Sequence, residues 1–396
     1  MSDQAEVETN EQKTVAMAEG TFTEELIAEM RRKSGLKLKV EDGLFNEEAT
    51  AGAIRRFVDG VGDPNPLFRD RAYANKSLYG SLIAPPSFVF SVLAGLQFGW
   101  RGLAGFHSGS DMEFYRPIRV NDVIRPEETF LYFDGPKPSR FAERMVIDYF
   151  EDKYFNQRDE LVAKVIRWVI RTERKKARQK GLYHHITLPH PWTEQQLAEV
   201  EAESLAAQIR GARPRYWEDT EVGEELKPIV KGPLGLTDMV AFFVAGASPV
   251  KLAAHEVSLN EYKQRPAWAF RDVNTCALEP IFAVHYNKEA ANAMGVPHAY
   301  TVGTQTHCWQ VQLLTHWMGD DGVLKRSRAE YRKFHYLSDV AWLKGKVTKK
   351  YRDENGFCCV DIETHAMNQR GEDFMPGEAT IALPSKTGKR PQEMFV

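Results

Sequence analysis

Between residues 47 and 61 the apolar positions Ala51, Ile54, Val58 and Val61 recur three or four apart, which is the spacing of one buried helix face. Past residue 106 the period falls to two, as in the alternation Val162, Lys164, Ile166. Residues 112–115, 123–133, 141–150 and 160–171 therefore read as strands. The second half repeats this order, with short and longer apolar helices at 235–245 and 305–317 and strands at 324–334, 339–351, 357–367 and 379–383. A helix followed by a run of strands, met twice, is an α+β arrangement. Thr23 caps a further helix over 23–30, and another spans 193–210. The most apolar window, 82–100, is nearly long enough to cross a bilayer, but it carries Pro85, Pro86, Ser87, Ser91 and Gln97. It is expected to be a buried helix instead.

The repetition extends to single residues. Setting Phe68 against His285 pairs Asp70 with Asn287, Ala74 with Ala291, Pro86 with Gly303 and Asp122 with Asp339, all at one register. At almost the same spacing, Asn156-Gln157-Arg158-Asp159-Glu160 meets Asn368-Gln369-Arg370-Gly371-Glu372. Two divergent copies of one domain account for this. The expected divisions are a mobile tail (1–20), a first domain (21–172), a linker (173–213), a second domain (214–385) and a surface tail (386–396). The second copy carries an insert at about 250–282, which holds His255, Arg271, Asp272 and Asn274. Insertions beside a ligand channel commonly reshape it.

The stretch Gly62-Asp63-Pro64-Asn65-Pro66-Leu67-Phe68-Arg69-Asp70, with Ala74 after it, resembles the hydratase signature of MaoC-like acyl dehydratases and (R)-specific enoyl-CoA hydratases. More closely, it resembles the double-hotdog type whose N-terminal half is a FAS1-like dehydratase domain. That resemblance implies a tandem hotdog fold, in which each antiparallel sheet wraps a central helix, the first of these helices falling in 82–100. It also implies addition of water to a trans-2-enoyl-CoA to give a (3R)-hydroxyacyl-CoA, or the reverse. A His and an Asp would hold the water, and a backbone N–H at the start of the central helix would bind the thioester oxygen. Here the functional residues are divided between the copies. His285 and Gly303 stand at the family's positions in the second copy, where the first has Phe68 and Pro86, and Pro86 has no N–H to give. Asp63 and Asn65 occur only in the first copy, their counterparts being Pro280 and Phe282 or, counted from the preceding helix, Ser248.

Three arrangements are open. The second copy works with His285, Gly303 and a partner from Asp272 or Asn287; or Asp63 and Asn65 form a separate site or reach across; or Asp63 is structural and the protein binds acyl-CoA without hydrating it. A hotdog thioesterase is the other enzymatic alternative, although neither expected central helix offers an acidic residue. The degenerate first copy is expected to make room for a bulky acyl group. Arg326, Arg328, Arg332 and Lys333 are candidates for the CoA phosphates, and the basic run 172–179 is read as a solvated linker face.

Composition narrows the partners. At 396 residues with 43% hydrophobic content, each copy can bury its own core. A formal charge of −3 gives no reason to expect nucleic acid or an anionic membrane as a partner. The four cysteines have no zinc spacing, and the adjacent His184 and His185 lack a third ligand. No metal or resident cofactor is expected; a CoA thioester is the substrate. The polar, acidic first twenty residues show no secretory pattern. A cytoplasmic homodimer or higher homo-oligomer with reduced thiols is the expectation.

Overall fold

A computed structural model describes residues 16–95, 98–246 and 252–395. In chain order its strands are β1 Leu36–Leu38, β2 Ala104–Phe114, β3 Arg125–Ser139, β4 Glu143–Phe155, β5 Leu161–Thr172, β6 Ile229–Lys231, β7 Ala269–Arg271, β8 Leu278–Pro280, β9 Val323–Glu330, β10 Ala341–Arg352, β11 Cys358–Asn368 and β12 Gly377–Ala382. Ten of them form one antiparallel sheet in the order β1-β3-β4-β5-β2-β9-β12-β11-β10-β6. Read outward from the middle, its two halves have the same order. They are joined where β2 pairs with β9, from Gly109 opposite Glu330 to Glu113 opposite Arg326.

The sequence repeat has a structural basis. In the first half Asn156 Oδ1 accepts the N–H groups of Arg158 and Glu160 at 2.9 and 3.1 Å. In the second, Asn368 Oδ1 accepts those of Arg370 and Glu372 at 3.0 and 3.1 Å. Asp122 accepts Gln157 Nε2 at 2.9 Å, and Asp339 accepts Gln369 Nε2 at 2.6 Å. Each half thus closes the same hairpin with an Asx turn and ties it to the same aspartate. The helices preceding the two signatures, Ala51–Val61 and Leu236–Val244, pack together at Gly60, where a Cβ would lie 2.7 Å from the Ala241 carbonyl oxygen.

The central helices differ. In the second half Gly303–Met318 is a continuous helix, with every residue after Gly303 buried. In the first, the described residues of this span form only a 3-10 turn at Pro86–Phe88 and one α-turn at Val89–Val92, so the helix expected over 82–100 is cut short. Leu93 is already extended, and Gly95 takes a left-handed φ of +88° against the Arg167 guanidinium, whose central carbon would lie 2.4 Å from a Cβ at this position. Arg167 is itself buried, paired with Asp152 at 3.1 Å and with Glu128.

The basic run is a solvated face only in part: Lys175 and Gln179 are exposed, but one side of it is buried. Arg174–Lys180 is a helix with Arg174 and Ala177 buried, and Arg174 donates to the carbonyl oxygens of Ala18 and Leu103 at 2.6 and 3.3 Å. The insert forms the helix His255–Gln264 and the β7–β8 hairpin. Ser248 and residues 1–15 lie outside the described residues. Among the described residues no helix is long and apolar enough to cross a membrane.

Candidate active site

A cavity of about 740 Å³ crosses the junction of the two halves. The first half contributes Phe106, His107 and Ser108 from β2 and Arg167 from β5; the second contributes His285, Tyr300 to Thr304 and Tyr331 to His335. Much of the wall is aromatic. Phe334 meets Phe106, Tyr183 and Tyr300 edge-on, with centroids 5.4, 5.6 and 4.7 Å away.

His285 ends the 3-10 turn Ile281–His285. Its Nδ1 lies 2.8 Å from the Tyr300 carbonyl oxygen. A carbonyl can only accept, so Nδ1 carries the proton and Nε2 keeps a lone pair. Phe282 and Tyr300 stand edge-on at 4.6 and 4.8 Å. Burial behind these rings pushes the imidazole pKa down to about 4, against the smaller upward pull of the Tyr300 carbonyl.

Gly303 opens the long buried helix on the same cavity. As its first residue it has no carbonyl partner within the helix for its N–H, and the dipole favours negative charge there. The neighbouring Thr304 hydroxyl is buried without a partner. A Cβ at 303 would lie 2.3 Å from a Tyr331 ring carbon. Glycine is therefore required by packing as well as by its place at the helix start.

Asp63 and Asn65 are elsewhere. Asp63 is buried, and its Oδ1 accepts the Asn65 N–H and His316 Nε2, each at 2.9 Å. His316 belongs to the second half's central helix, so Asp63 does reach across, but to a side chain of the core and away from the large cavity. Asn65 caps the turn Pro66–Arg69 and borders a separate pocket of about 60 Å³. Lys231 closes the preceding helix by donating to the carbonyl oxygens of Val61 and Gly62 at 3.2 and 2.8 Å, and burial pushes its pKa down to about 8.

Asp63→Ala should therefore lower stability by about 1–3 kcal/mol, because His316 loses its buried acceptor. Asp63→Asn, which retains an acceptor oxygen, should lose much less. Urea unfolding of both variants checks this; equal stability of Asp63→Ala and wild type would contradict the structural role.

The other expected site residues are also engaged locally. Asp272 Oδ1 accepts from Asn274 N and Thr275 N at 3.0 and 2.7 Å, and Oδ2 from Asn287 Nδ2 at 2.7 Å. Asn287 Oδ1 caps the helix Lys288–Ala293. The two residues thus meet each other; neither is bonded to His285 or lines its cavity. Arg326 is held by Asp111 at 2.7 Å and Glu378 at 3.0 Å, while Arg328 pairs with Glu330 at 2.7 Å and covers the Trp168 ring. These two lie on β9 outside the cavity wall. Arg332 and Lys333 do border the cavity, where Lys333 meets Glu372 at 2.7 Å and Arg332, largely exposed, meets Glu330 at 2.8 Å.

Comparison with known proteins agrees with this architecture. Residues 41–165 match the family described as FAS1-like, dehydratase domain region. A solved MaoC-like dehydratase superposes over 90% of this chain and all of its own, with a TM-score of 0.61 and 15% identity. A conserved hypothetical protein from Mycobacterium tuberculosis, described as having a double hotdog fold, covers 88% of this chain and 96% of its own, with a TM-score of 0.52 and 10% identity. The chain has a double hotdog fold, and the stretch that matches the FAS1-like dehydratase region lies in its first half. The UPF0336 protein of Thermobifida fusca is 31% identical over 87 residues, 19% of this chain and 56% of that protein. The double hotdog thus spans about half the length of the curated relatives it matches.

Sequence spacing did not single out His316, His107 or Tyr331. His316 and Asp63 come from different copies, and no local pattern joins them. His107 and Tyr331 meet only because β2 and β9 are neighbours at the junction.

Proposed function

We propose that the double hotdog hydrates a trans-2-enoyl-CoA, or dehydrates the corresponding (3R)-hydroxyacyl-CoA, at the His285 cavity. The observation that carries this reading is the shared cavity of two groups. His285 has its tautomer fixed by a backbone carbonyl, and Gly303 begins a buried helix. In hydration, His285 Nε2 takes a proton from water as the oxygen bonds to the β-carbon. The double-bond electrons move toward the thioester oxygen, which the Gly303 N–H receives. The imidazolium then returns its proton to the α-carbon. The thioester thereby gains H and OH, and the enzyme regains its neutral imidazole.

The aromatic volume suits a bulky acyl group, and Arg332 and Lys333 would face the CoA phosphates at the mouth. Arg326 and Arg328 have no part in this reading because they lie on β9 outside the cavity wall, which Arg332 and Lys333 border. A second reading, acyl-CoA binding without turnover or only with a partner subunit, is favoured by one observation: Asp63 and Asp272 are engaged outside the His285 cavity.

The test is a panel of trans-2-enoyl-CoA thioesters, from short linear to polycyclic acyl groups, followed by loss of the conjugated thioester absorbance. Turnover of a bulky member is expected. Binding of CoA esters without turnover of any member would leave the second reading standing.

A further inference from the structure

With Asp63, Asp272 and Asn287 occupied elsewhere, the hydratase reading lacks the second group that would hold the attacking water. The junction between the halves supplies another candidate. His107 lies at the irregularity in β2, where the pairing with β5 shifts between His107 and Gly109, and it borders the same cavity as His285. Its Nε2 lies 3.1 Å from the Gly109 carbonyl oxygen and 2.9 Å from Ser110 Oγ. Since the carbonyl can only accept, Nε2 carries the proton and Nδ1 is the nitrogen with the lone pair. Of the four histidines that line the cavity, His107, His185, His285 and His335, His107 and His285 are the two that come one from each half with the tautomer fixed by a backbone carbonyl. His185, also on a carbonyl, is an exposed linker residue.

Tyr331 connects this imidazole to the helix start. Its ring meets that of His107 at 5.1 Å and occupies the space beside the Gly303 Cα. Its hydroxyl lies 3.0 Å from His307 Nδ1 and 3.4 Å from Ser110 Oγ. His307 Nε2 lies 3.0 Å from Ser327 Oγ, so the polar groups behind His107 are matched with one another. His335 is a weaker candidate: both its ring nitrogens are buried without partners, and its ring stacks on Phe374 at 4.6 Å. The charged or titratable groups around His107 are Arg167, His307 and Tyr331. Burial first, then the Arg167 charge, pushes the His107 pKa down to about 3, which preserves the lone pair at working pH.

We infer that His107 is a second catalytic residue of the His285 cavity, its Nδ1 accepting from the O–H of the reacting water that His285 does not take. This rests on the hydratase reading. The water gives one proton to His285 Nε2, its oxygen bonds to the β-carbon, and the π pair passes to the thioester oxygen. The α-carbon recovers the proton from His285. The O–H directed at His107 remains intact and becomes the product hydroxyl, so His107 positions the water without changing charge.

The experiment compares His107→Phe, His107→Asn and His285→Ala in the intact protein, on whichever enoyl-CoA the wild type turns over. Binding of the matching saturated acyl-CoA is measured alongside. His107→Phe should lower kcat about 100-fold with saturated acyl-CoA binding unchanged. Asn, whose Oδ1 can stand near the place of Nδ1, should recover at least a tenth of wild-type kcat. Full kcat in His107→Phe, with His285→Ala inactive, would overturn the inference and leave the hydratase reading intact. No turnover by wild type, with CoA esters still binding, would overturn both. Should the variants fail to fold, 15N NMR of the wild-type imidazoles decides: an unprotonated Nδ1 on His107 is expected at neutral pH, and a protonated one overturns the proposal.

Discussion

His285→Ala is expected to lower kcat by about 10³-fold, within the range for losing a positioned acid–base group, while saturated acyl-CoA binding changes little. The reasoning starts from the tautomer. The Tyr300 carbonyl at 2.8 Å holds the proton on Nδ1, so Nε2 is left as the base. Burial brings the imidazole pKa down to about 4, and activity requires the neutral form. For the free enzyme, kcat/KM should therefore rise with pH up to about 4 and be level from there through neutrality. An ascending, acid-side limb displaced to the ordinary histidine value, about 6.5, would show that the cavity is wetter than its aromatic wall implies. Turnover surviving in His285→Ala but lost in Asp63→Asn would move the chemistry to the first half.

Much of the fold was legible because the signals that encode it are local. The change of apolar period from three or four to two marks where helix gives way to strand, and the Asn156 and Asn368 turns are fixed by side chains within four residues. The shortened first central helix was not legible. Its sequence is apolar enough for a helix, but Gly95 brings the chain against Arg167, a residue 72 positions later in sequence. The candidate site divides in the same way. His285 and Gly303 could be located by their common register with Phe68 and Pro86. The engagement of Asp272 with Thr275 and Asn287 depends on how the insert folds back, and the Asp63–His316 contact depends on the docking of the two halves. His107 was unremarkable in sequence, since only the β2–β9 junction brings it against Tyr331.

Gly303→Ala is the second large effect expected. Inside a helix this exchange ordinarily adds about 1 kcal/mol through propensity. Here the new methyl would lie 2.3 and 2.6 Å from two Tyr331 ring carbons, closer than any packed carbon tolerates. Tyr331 cannot simply swing aside, because its hydroxyl is held between His307 and Ser110 at 3.0 and 3.4 Å and its ring lies against those of His107 and His307. The strain must pass into the helix start, costing about 1–3 kcal/mol of stability. The resulting displacement of the 303 N–H should cost about 100-fold in kcat. A double-mutant cycle separates this clash from a direct effect of the methyl on substrate. In a Tyr331→Ala background the ring carbons nearest the added methyl are gone, so the further loss of stability and kcat on Gly303→Ala should largely vanish. An undiminished loss in both backgrounds would mean that the methyl itself blocks the thioester oxygen, and that Tyr331 does not set the position of the helix start.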